Sequence, residues 1–482
     1  MNDSRRKFIA QALLASVGIT ILPYCKRKTV TPSQNNKKVL IIGAGIAGLA
    51  AAKALADAGM SVTVLEASDR YGGRIMSVKM DGYTADFGAS WIHGINGNPL
   101  YSLANSNAII TKPTHYNPSY IFDIDGSEIT ADEWNQTEAL LTRLVDLAYK
   151  NIDISLEQLI ELMIAELEPL SGKMKRLFYG AVRSEIEIPY AVDAPDISAR
   201  SLTTNDSFPG EDVIFPNGMQ QLTDVLAEGI NIQYNTFVTK VEYAGDKVFV
   251  YTKSPSDIDP KRSCKACHSN TNASLIETVD VQSADKVIVA LPPGMLKYNS
   301  VVFEPELPPK KKNAIKSLGI GTMNKVFLKF ETNFWNEDGY FFEYLKQDYS
   351  RIAEFFSPTP TGTPNYIVAV FAGKQAREIE KMDDQTVTNL VMDDLRGMFG
   401  ETIPLPIEIK RTYWHTNKFS LGAYPHLKPG ATLDACETIA QPLQNKIYFA
   451  GDATSKQYMA TAHGAYISGI SAANALIKDL ET

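Results

Sequence analysis

The most constraining feature of this 482-residue chain is a glycine-rich turn between a short apolar strand and an alanine-rich helix. Residues 38–42 read KVLII, and the turn that follows carries Gly43, Gly45 and Gly48 before a helix that Gly59 ends. β-Branched apolar runs of this kind are typical of buried parallel strands. The order of strand, glycine turn and helix predicts a parallel α/β fold in which the helix N-terminus faces a phosphate group.

Each glycine of the turn has its own role in binding a pyrophosphate. Gly43 permits the tight turn, Gly45 lets the backbone approach the phosphates, and Gly48 lets the helix pack closely on the strand. A second apolar strand over residues 61–65 leads to Glu66. This acid comes about 20 residues after the turn, where a carboxylate can bind both hydroxyls of a ribose. The segment therefore predicts a dinucleotide site.

A second pair of glycines follows the ribose-binding acid. Residues 67–74 read ASDRYGGR, so Gly73 and Arg74 come shortly after Glu66. We predict that they form a second cradle for the pyrophosphate, with the Arg74 guanidinium as its charge partner. The first glycine turn alone does not separate FAD from NAD, whereas this second segment favours FAD.

The length of the chain predicts two domains, because it exceeds what one ordinary core supports. Nucleotide-binding signals lie at both ends, so we predict that residues 37–96, 206–296 and 420–482 build an FAD-binding domain. Residues 97–205 and 297–419 are predicted to form an α+β substrate-binding domain. The first of these segments reads as mostly helical, and the clearest strands of the second are at 326–330 and 366–371.

The net charge of the chain limits the kinds of partner that it is expected to bind. The formal net charge is −8, with 44% hydrophobic and 21% charged residues. This balance is typical of a soluble globular protein, argues against a nucleic-acid partner and mildly favours a cationic ligand. Ordinary acidic solubility explains the charge equally well. The oligomeric state is left open.

Residues 1–25 are predicted to be an export signal, and residues 26–36 a polar linker. Arg5 and Arg6 precede an apolar run that is too short to span a bilayer comfortably, and the pair resembles a twin-arginine signal. Cys25 is a candidate lipidation site. The protein is therefore expected in the periplasm, or anchored by lipid to the outside of the cytoplasmic or outer membrane.

Several separated motifs resemble those of the flavin-containing amine oxidases, a family that includes monoamine oxidases, polyamine oxidases, lysine-specific histone demethylases and L-amino-acid oxidases. Residues 86–94 read DFGASWIHG and are most similar to the polyamine and spermine oxidase branch. Residues 288–293 (IVALPP), 449–454 (FAGDAT) and 462–466 (AHGAY) are similar to the strand and the C-terminal segment that meet the flavin. The resemblance runs from residue 37 almost to the C-terminus.

The resemblance implies which residues bind FAD. Asp452 is expected at the ribityl–pyrophosphate region, and the backbone of Val238 at the adenine. The helix near His463 is expected to point its positive N-terminus at the pyrimidine end of the flavin, which stabilises an anionic reduced ring. Trp414 is expected to stack near the ring. The expected cofactor-binding residues are Gly43, Gly45, Ala47, Gly48, Glu66, Gly73, Arg74, Gly88, Ala89, Ser90, Trp91, Val238, Trp414, Gly451, Asp452, Thr461 and Ala462.

The resemblance also implies catalytic residues. A lysine among strand residues is ordinarily a solvated edge charge, but Lys325 matches the lysine that holds a water against flavin N5 and aids reoxidation by oxygen. Tyr424 matches one wall of the aromatic cage that orients the amine. Thr461 stands where monoamine oxidases have the second cage tyrosine, and Tyr458 is expected to replace it. Ala423 stands where their flavin-linked cysteine lies, so non-covalent FAD is expected.

His93 is expected to line the substrate tunnel, although a lone histidine is more often a hydrogen-bonded packing residue. Glu185 and Glu187 are candidates for binding a distal ammonium. The implied reaction is hydride transfer from the α-carbon of a neutral amine to flavin N5. Imine hydrolysis and release of peroxide follow when oxygen reoxidises the flavin. Polyamines are the favoured substrates, and the C–N bond that is cleaved is left open.

Cys264, Cys267 and His268 spell the CxxCH attachment site of c-type haem within a polar insertion at residues 253–278. The insertion is shorter than a cytochrome fold and contains no methionine, so a local disulfide or weak metal site is the alternative. Three rival functions stay open: an L-amino-acid oxidase with an arginine facing the substrate carboxylate, a haem-coupled amine dehydrogenase that passes electrons to a partner, and an inactive FAD-binding protein.

Overall fold

The computed structural model describes residues 37–481 apart from residues 118, 152, 168, 205, 255–279, 337, 349–352 and 363–364. The predicted export signal, the linker at 26–36, the candidate lipidation site Cys25 and the CxxCH motif all lie outside the described residues. Within the described part of the chain, no helix has the length and apolar character that crossing a membrane requires.

Five parallel strands form the sheet that the glycine-rich turn predicts. Lys38–Ile42 lies at its centre, paired with Lys286–Val289 on one side and with Ser61–Leu65 on the other. Ile447–Phe449 and Ile232–Gln233 form the edges. All but the first residue of the central strand are buried, as expected for a parallel sheet that is covered on both faces. The predicted α/β fold class is confirmed.

Helices from the two ends of the chain pack together on this sheet. Helix Ile46–Asp57 follows the glycine turn, and the C-terminal helix Ala462–Glu481 packs against it. They approach closely at Gly469, where a Cβ atom would lie 2.1 Å from the carbonyl oxygen of Ala47. The absence of a side chain at this position lets the C-terminal helix reach the nucleotide-binding segment.

A six-stranded mixed sheet forms the second large core. The last two of its strands pair in parallel, and the other neighbours are antiparallel. Because side chains alternate across a strand, Val326 packs toward helix Asp384–Phe399 while Lys325 faces the opposite side. The strand order is Glu408–Arg411, Met323–Lys329, Tyr366–Ala372, Ala353–Phe356, Phe341–Tyr344 and Ser119–Phe122.

The predicted strand at 326–330 is real but starts earlier, at Met323. The polar residues Asn324 and Lys325 belong to it and are both buried. An apolar run marks only the second half of the strand, because the first half uses its polar side chains in tertiary contacts. The neighbouring strand, predicted at 366–371, extends over Tyr366–Ala372.

The segment 97–205 is mostly helical, as the sequence predicts. Its longest helix, Ala131–Ala148, begins with a capping box in which the Thr130 hydroxyl accepts from the N–H of Glu133 and the Glu133 carboxylate accepts from the N–H of Thr130. Helix Leu156–Ala165 begins with a second capping box. The boundaries proposed for the two domains stay predictions.

The remaining elements connect these layers. The smaller sheets comprise Asp280–Ala284, Val248–Lys253, Phe237–Glu242 and Val302–Glu304; Ser77–Met80 and Tyr83–Asp86; Leu318–Ile320 and Pro425–Leu427; and Trp91–Ile92, Val213–Ile214 and Lys112–Pro113. The other helices are Pro99–Ser106, Gly172–Val182, Ile188–Tyr190, Gln220–Ala227, Pro293–Lys297, Pro309–Ser317, Gly373–Ile379 and Asp434–Ala440, and short 3₁₀ or π turns are Arg183–Glu187, Ala199–Thr203, Thr359–Thr361 and Asp452–Thr454.

The helix contact at Gly469 predicts a stability effect. Gly469→Ala is expected to lower the free energy of unfolding by about 1–3 kcal/mol, since the new methyl group meets backbone that cannot rotate away. Denaturant unfolding of the purified variant measures this. Gly172→Ala is the control, because a Cβ at this exposed helix start meets only Arg176 Nη1 at 3.8 Å. Equal stabilities of the two variants would contradict the prediction.

Candidate active site

The glycine-rich turn leaves open space at the start of helix Ile46–Asp57. A Cβ atom at Gly45 would have no neighbour within 4 Å, whereas one at Gly43 would lie 2.7 Å from the carbonyl oxygen of Ala290. At Gly48 a Cβ would lie 1.9 Å from the carbonyl oxygen of Gly43. The helix has no side-chain cap at its N-terminus. Free space beside uncapped N–H groups fits a pyrophosphate.

The second glycine turn packs directly on the first. Gly72 donates its N–H to the carbonyl of Ala44 at 2.8 Å, and Gly73 adopts a φ of +59°. A Cβ atom at Gly73 would lie 3.3 Å from the Cα atom of Gly45. The two predicted cradles therefore face one space, and any side chain at these positions would narrow it.

The expected ribose and adenine residues lie together at the edge of this space. Glu66 is buried, and its carboxylate accepts from the N–H of Ala44 at 2.8 Å and from the N–H and hydroxyl of Ser68 at 2.9 and 2.7 Å. The N–H of Thr236 donates to the Glu66 carbonyl at 2.8 Å, and Val238 follows two residues later in strand Phe237–Glu242. The assignment of Glu66 to the ribose and of Val238 to the adenine stays a prediction.

Arg74 joins the two ends of the chain. Its guanidinium donates to both carboxylate oxygens of Asp452 at 2.8 and 2.7 Å, and to the carbonyl of Ala423 at 2.8 Å. Ala89 donates its N–H to the Arg74 carbonyl at 3.1 Å. Sequence reasoning assigns Arg74 and Asp452 to the cofactor separately. The structure brings them together as a bidentate ion pair that borders the cleft.

The C-terminal helix begins beside the same cleft. Thr461 accepts the N–H of Gly464 on its hydroxyl at 2.9 Å and so caps the helix, which starts at Ala462. Gly451, with a φ of +132°, donates its N–H to the Ser468 hydroxyl at 2.8 Å. This bond ties the first turns of the helix to the end of the parallel strand. The positive end of the helix dipole therefore lies beside Gly451 and Asp452, and its placement at the pyrimidine end of the flavin stays a prediction.

Lys325 crosses from the six-stranded sheet to the segment 86–90. Its Nζ donates to the carbonyls of Asp86 and Gly88 at 2.9 and 2.8 Å and to the Ser90 hydroxyl at 2.5 Å. These acceptors use the three N–H groups of an ammonium. The lysine is 7% exposed, and this burial lowers its pKa, while the nearby Asp86 carboxylate opposes the shift. The isolated reading of Lys325 as a solvated edge charge is wrong.

Two tryptophans border the same segment. The Trp91 ring centroid lies 5.6 Å from Lys325 Nζ. Trp414 is buried and donates its Nε1–H to the carbonyl of Phe87 at 3.0 Å. Trp414 thus supports the segment between Asp86 and Gly88, and its stacking near the flavin stays a prediction.

A largely apolar cavity adjoins Lys325. Phe327, Phe356 and Val368 line it from the six-stranded sheet, and Asp86 is among its few polar residues. Burial raises the pKa of Asp86, while the Ser77 hydrogen bond and the Lys325 charge oppose the shift. Sequence reasoning missed Asp86, although it begins the DFGASWIHG motif.

Tyr424 is held rigidly near the strand that bears Lys325. Its carbonyl accepts from the N–H of Gly321 at 2.8 Å, and its hydroxyl donates to the carbonyl of Pro189 at 2.9 Å. Burial raises the pKa of Tyr424, and the charge of Glu354 adds to the shift. The phenol therefore stays neutral, and a carboxylate that sequence reasoning missed lies within electrostatic reach.

Tyr458 belongs to a separate aromatic group. Its ring stacks on Phe208 with centroids 4.7 Å apart, and His463 packs edge-on against Tyr458 at 5.1 Å. Within the described part of the chain, no ring contact joins Tyr458 to Tyr424. The pairing of Tyr458 with Tyr424 around an amine stays a prediction.

His93 lies at an open position, and its side chain is 57% exposed. Its Nδ1 bonds the Asp212 carboxylate at 2.7 Å, which also accepts from the Tyr116 hydroxyl and from the N–H of Gly94. Burial raises the pKa of Asp212, but His93, Tyr116 and the Gly94 N–H outweigh it and lower the pKa to about 2. Asp212 therefore stays ionised and orients the imidazole. Sequence reasoning missed this partner, which lies 119 residues away.

Glu187, a candidate for binding a distal ammonium, already bonds groups of the protein itself. Its carboxylate accepts from Arg183 Nη1 at 3.0 Å and from the N–H of Ala194 at 2.5 Å. Arg183 is buried, so Glu187 neutralises a charge inside the fold. Glu185, the other candidate for a distal ammonium, is also buried.

A parallel sheet with two facing glycine turns, a ribose acid and a second helix N-terminus at the same cleft defines an FAD-type dinucleotide-binding oxidoreductase. The sequence matches the family described as "flavin containing amine oxidoreductase" over residues 46–477. This chain belongs to the flavin-containing amine oxidoreductase family and is an enzyme of that family. The resemblance predicted from the motifs is confirmed, and the family implies FAD. It gives no support for haem c at Cys264, Cys267 and His268.

Relatives and a solved structure agree with this assignment. Polyamine oxidase 4 of Oryza sativa subsp. japonica is 31% identical over 491 residues, which cover 95% of this chain and 91% of that protein. Lysine-specific histone demethylase 1 homolog 1 of Arabidopsis thaliana is 31% identical over 465 residues, but this chain spans only about half (52%) of its length. A redesigned double mutant of putrescine oxidase shares the fold, with a TM-score of 0.71, 21% identity, and coverage of 92% of this chain and 99% of that one.

Because a side chain at Gly45 would meet open space, we predict that a substitution there weakens FAD binding without destabilising the fold. Gly45→Val is expected to leave the unfolding free energy of the apoprotein unchanged within about 0.5 kcal/mol. Its FAD affinity is expected to fall at least about tenfold, since the new side chain occupies the space for the pyrophosphate. FAD titration and denaturant unfolding of the apoprotein measure the two effects. Gly43→Ala should instead destabilise the apoprotein, and wild-type FAD affinity in Gly45→Val would contradict the assignment.

Proposed function

We propose that this protein is an oxidase of di- or polyamines that binds FAD non-covalently. The space between Gly45 and Gly73 would hold FAD, which would supply the acceptor for a hydride from the carbon next to the amine nitrogen, with oxygen as the final electron acceptor and peroxide as its product. The imine hydrolyses to an aldehyde or ketone and a shorter amine. The carrying observation is the buried Lys325, which links the segment 86–90 to a largely apolar cavity.

The residues around Lys325 suit this chemistry. The apolar walls of the cavity exclude bulk water, which strengthens the electrostatic interactions of the groups that border it. The Tyr424 ring is fixed through its hydroxyl, and a fixed aromatic face can orient an amine nitrogen. Ala423 carries no nucleophile, which supports non-covalent binding of the flavin.

Two buried carboxylates favour a substrate with more than one amine. Glu343 and Glu354 face each other on neighbouring antiparallel strands and are 6% and 2% exposed. Lys325 and Glu354 both pair with Val370, so the four side chains lie in one row on one face of the sheet. A negative charge here, close enough to affect Tyr424, favours a second ammonium. It disfavours the carboxylate of an amino-acid substrate.

We also propose that the protein is exported. The Arg5–Arg6 pair and the short apolar run that follows support this location, and Cys25 is the candidate anchor. A folded, flavin-loaded protein is the type of cargo for which a twin-arginine route is suited. Cell fractionation tests the proposal, and recovery of the uncleaved chain only in the cytoplasm would contradict it.

Glu354→Gln tests the substrate class. The dissociation constants of putrescine and spermidine, measured by anaerobic flavin reduction, are expected to rise at least about tenfold. That of n-butylamine should hardly change, because it carries one ammonium. Glu306→Gln on the surface is the matched control. Flavin reduction by amino acids alone would make the polyamine proposal wrong, and an equal loss for n-butylamine would remove Glu354 from substrate recognition.

Lys325 predicts a pH dependence of reoxidation. Only its ammonium form carries a charge that stabilises a developing anion, so the reoxidation rate should fall as pH rises through the pKa of Lys325. Burial sets this pKa below that of an ordinary lysine. Lys325→Met is expected to slow reoxidation about 100-fold and to remove this pH dependence. Stopped-flow mixing of the reduced holoenzyme with oxygen measures it, and an equal slowing of reduction by the amine would contradict the role.

A further inference from the structure

We propose that Asn324 is a positioning residue that holds Lys325 and Trp414 against the segment bordering the cleft. Asn324 is 0% exposed, and strand alternation places it on the face opposite Lys325. Its side chain therefore acts through other residues rather than on a ligand. The inference rests on the proposed function in taking Lys325 and Trp414 as neighbours of the flavin.

The amide of Asn324 uses every hydrogen-bonding position that it has. Its Oδ1 accepts from the Thr412 hydroxyl and from the N–H of Trp414, both at 3.0 Å. Its Nδ2 donates to the carbonyl of Ala376 at 3.2 Å and to Glu380 Oε1 at 2.7 Å. An amide offers two acceptor and two donor positions, so this buried side chain is fully satisfied. Such a network favours one arrangement of its partners.

The two residues that bond the amide oxygen, Thr412 and Trp414, connect Asn324 to the segment that borders the cleft. The Thr412 hydroxyl accepts from the N–H of Lys325 at 2.9 Å, and the N–H of Thr412 donates to the Lys325 carbonyl at 3.0 Å. The indole of Trp414 donates to the carbonyl of Phe87, and the Lys325 ammonium donates to the carbonyls on either side of it. The side chains of Lys325 and Trp414 thus bond the three consecutive carbonyls of residues 86–88. The backbones of both residues are in turn fixed by the Asn324 amide, directly at Trp414 and through Thr412 at Lys325.

Glu380 fixes the orientation of the amide from the far side. Its carboxylate also accepts from the N–H of His415 at 2.7 Å, and from the N–H and hydroxyl of Thr416 at 2.9 and 2.7 Å. The NH₂ group of Asn324 must therefore face Glu380, and its oxygen must face Trp414. An aspartate at position 324 would place a buried carboxylate against the half-buried carboxylate of Glu380, which is costly.

The direction of the hydrogen bond from Asn324 to Glu380 can be tested with a pair of substitutions. Asn324→Asp opposes two carboxylates, whereas the double variant Asn324→Asp/Glu380→Gln restores a donor–acceptor pair between the two positions. Each variant, and Glu380→Gln alone, is prepared as the FAD-loaded holoenzyme. The visible spectrum of the bound flavin, and the rate at which dithionite-reduced holoenzyme is reoxidised in air-saturated buffer, are measured. Neither readout requires an amine substrate.

Asn324→Asp is expected to shift the flavin absorption bands and to slow reoxidation about 10- to 100-fold, because it displaces groups beside the ring. The double variant should recover part of both losses, because it restores the contact between positions 324 and 380 but not the bond to the Ala376 carbonyl or the acceptor of the His415 N–H. Thr137→Val, which removes a buried hydroxyl in helix Ala131–Ala148, controls for lost stability and should change neither readout. A wild-type spectrum and reoxidation rate in Asn324→Asp, or a double variant no closer to wild type than Asn324→Asp, would overturn the proposal.

If Asn324→Asp yields no folded holoenzyme, Thr412→Val cuts only the link from the amide to Lys325. This variant should slow reoxidation, and a wild-type rate would overturn the proposal. A wild-type holoenzyme that amines do not reduce, but whose dithionite-reduced form behaves as described, would contradict the proposed function alone.

Discussion

The structure depends on a close approach of backbone to backbone that leaves room for a pyrophosphate. Gly45 and Gly73 face one space, and a Cβ atom on Gly73 would already touch the first turn. The C-terminal segment completes this space through the ion pair between Arg74 and Asp452. The guanidinium is partly exposed, so the pair contributes a modest free energy. Its main consequence is to hold residues from the two ends of the chain together at one cleft.

The six-stranded sheet directs the Lys325 ammonium toward that cleft because neighbouring residues of a strand point to opposite faces. Lys325 points toward the segment that carries Ser90, while Asn324 points into the core behind it. Along the same face as Lys325, buried carboxylates continue the row to Glu354 and Glu343. One sheet thus supplies a buried cation, its support and an anionic region near Tyr424.

Much of this arrangement is readable from the sequence because its signals are local. The spacing of Gly43, Gly45 and Gly48 and the position of Glu66 predict the parallel sheet and the dinucleotide cleft from fewer than thirty consecutive residues. Motifs at both ends predict that the cleft is shared between them. The start of the strand at Met323 is missed because buried polar residues interrupt its apolar pattern.

Long-range partners are not readable in this way. Arg74 and Asp452 are 378 residues apart, and nothing near either residue marks the other as its partner. The bond from His93 to Asp212 and the position of Glu354 also follow from strand pairing, which a single sequence does not encode locally. Each of these groups is polar, and its role appears only when the tertiary structure supplies its neighbours.

A crystal structure of the FAD-loaded protein tests the central claim most directly. We expect the pyrophosphate to bond N–H groups at the start of helix Ile46–Asp57, and the flavin ring to lie beside Lys325 and Tyr424. A flavin bound outside the space between Gly45 and Gly73, or a ring remote from Lys325, would contradict the claim.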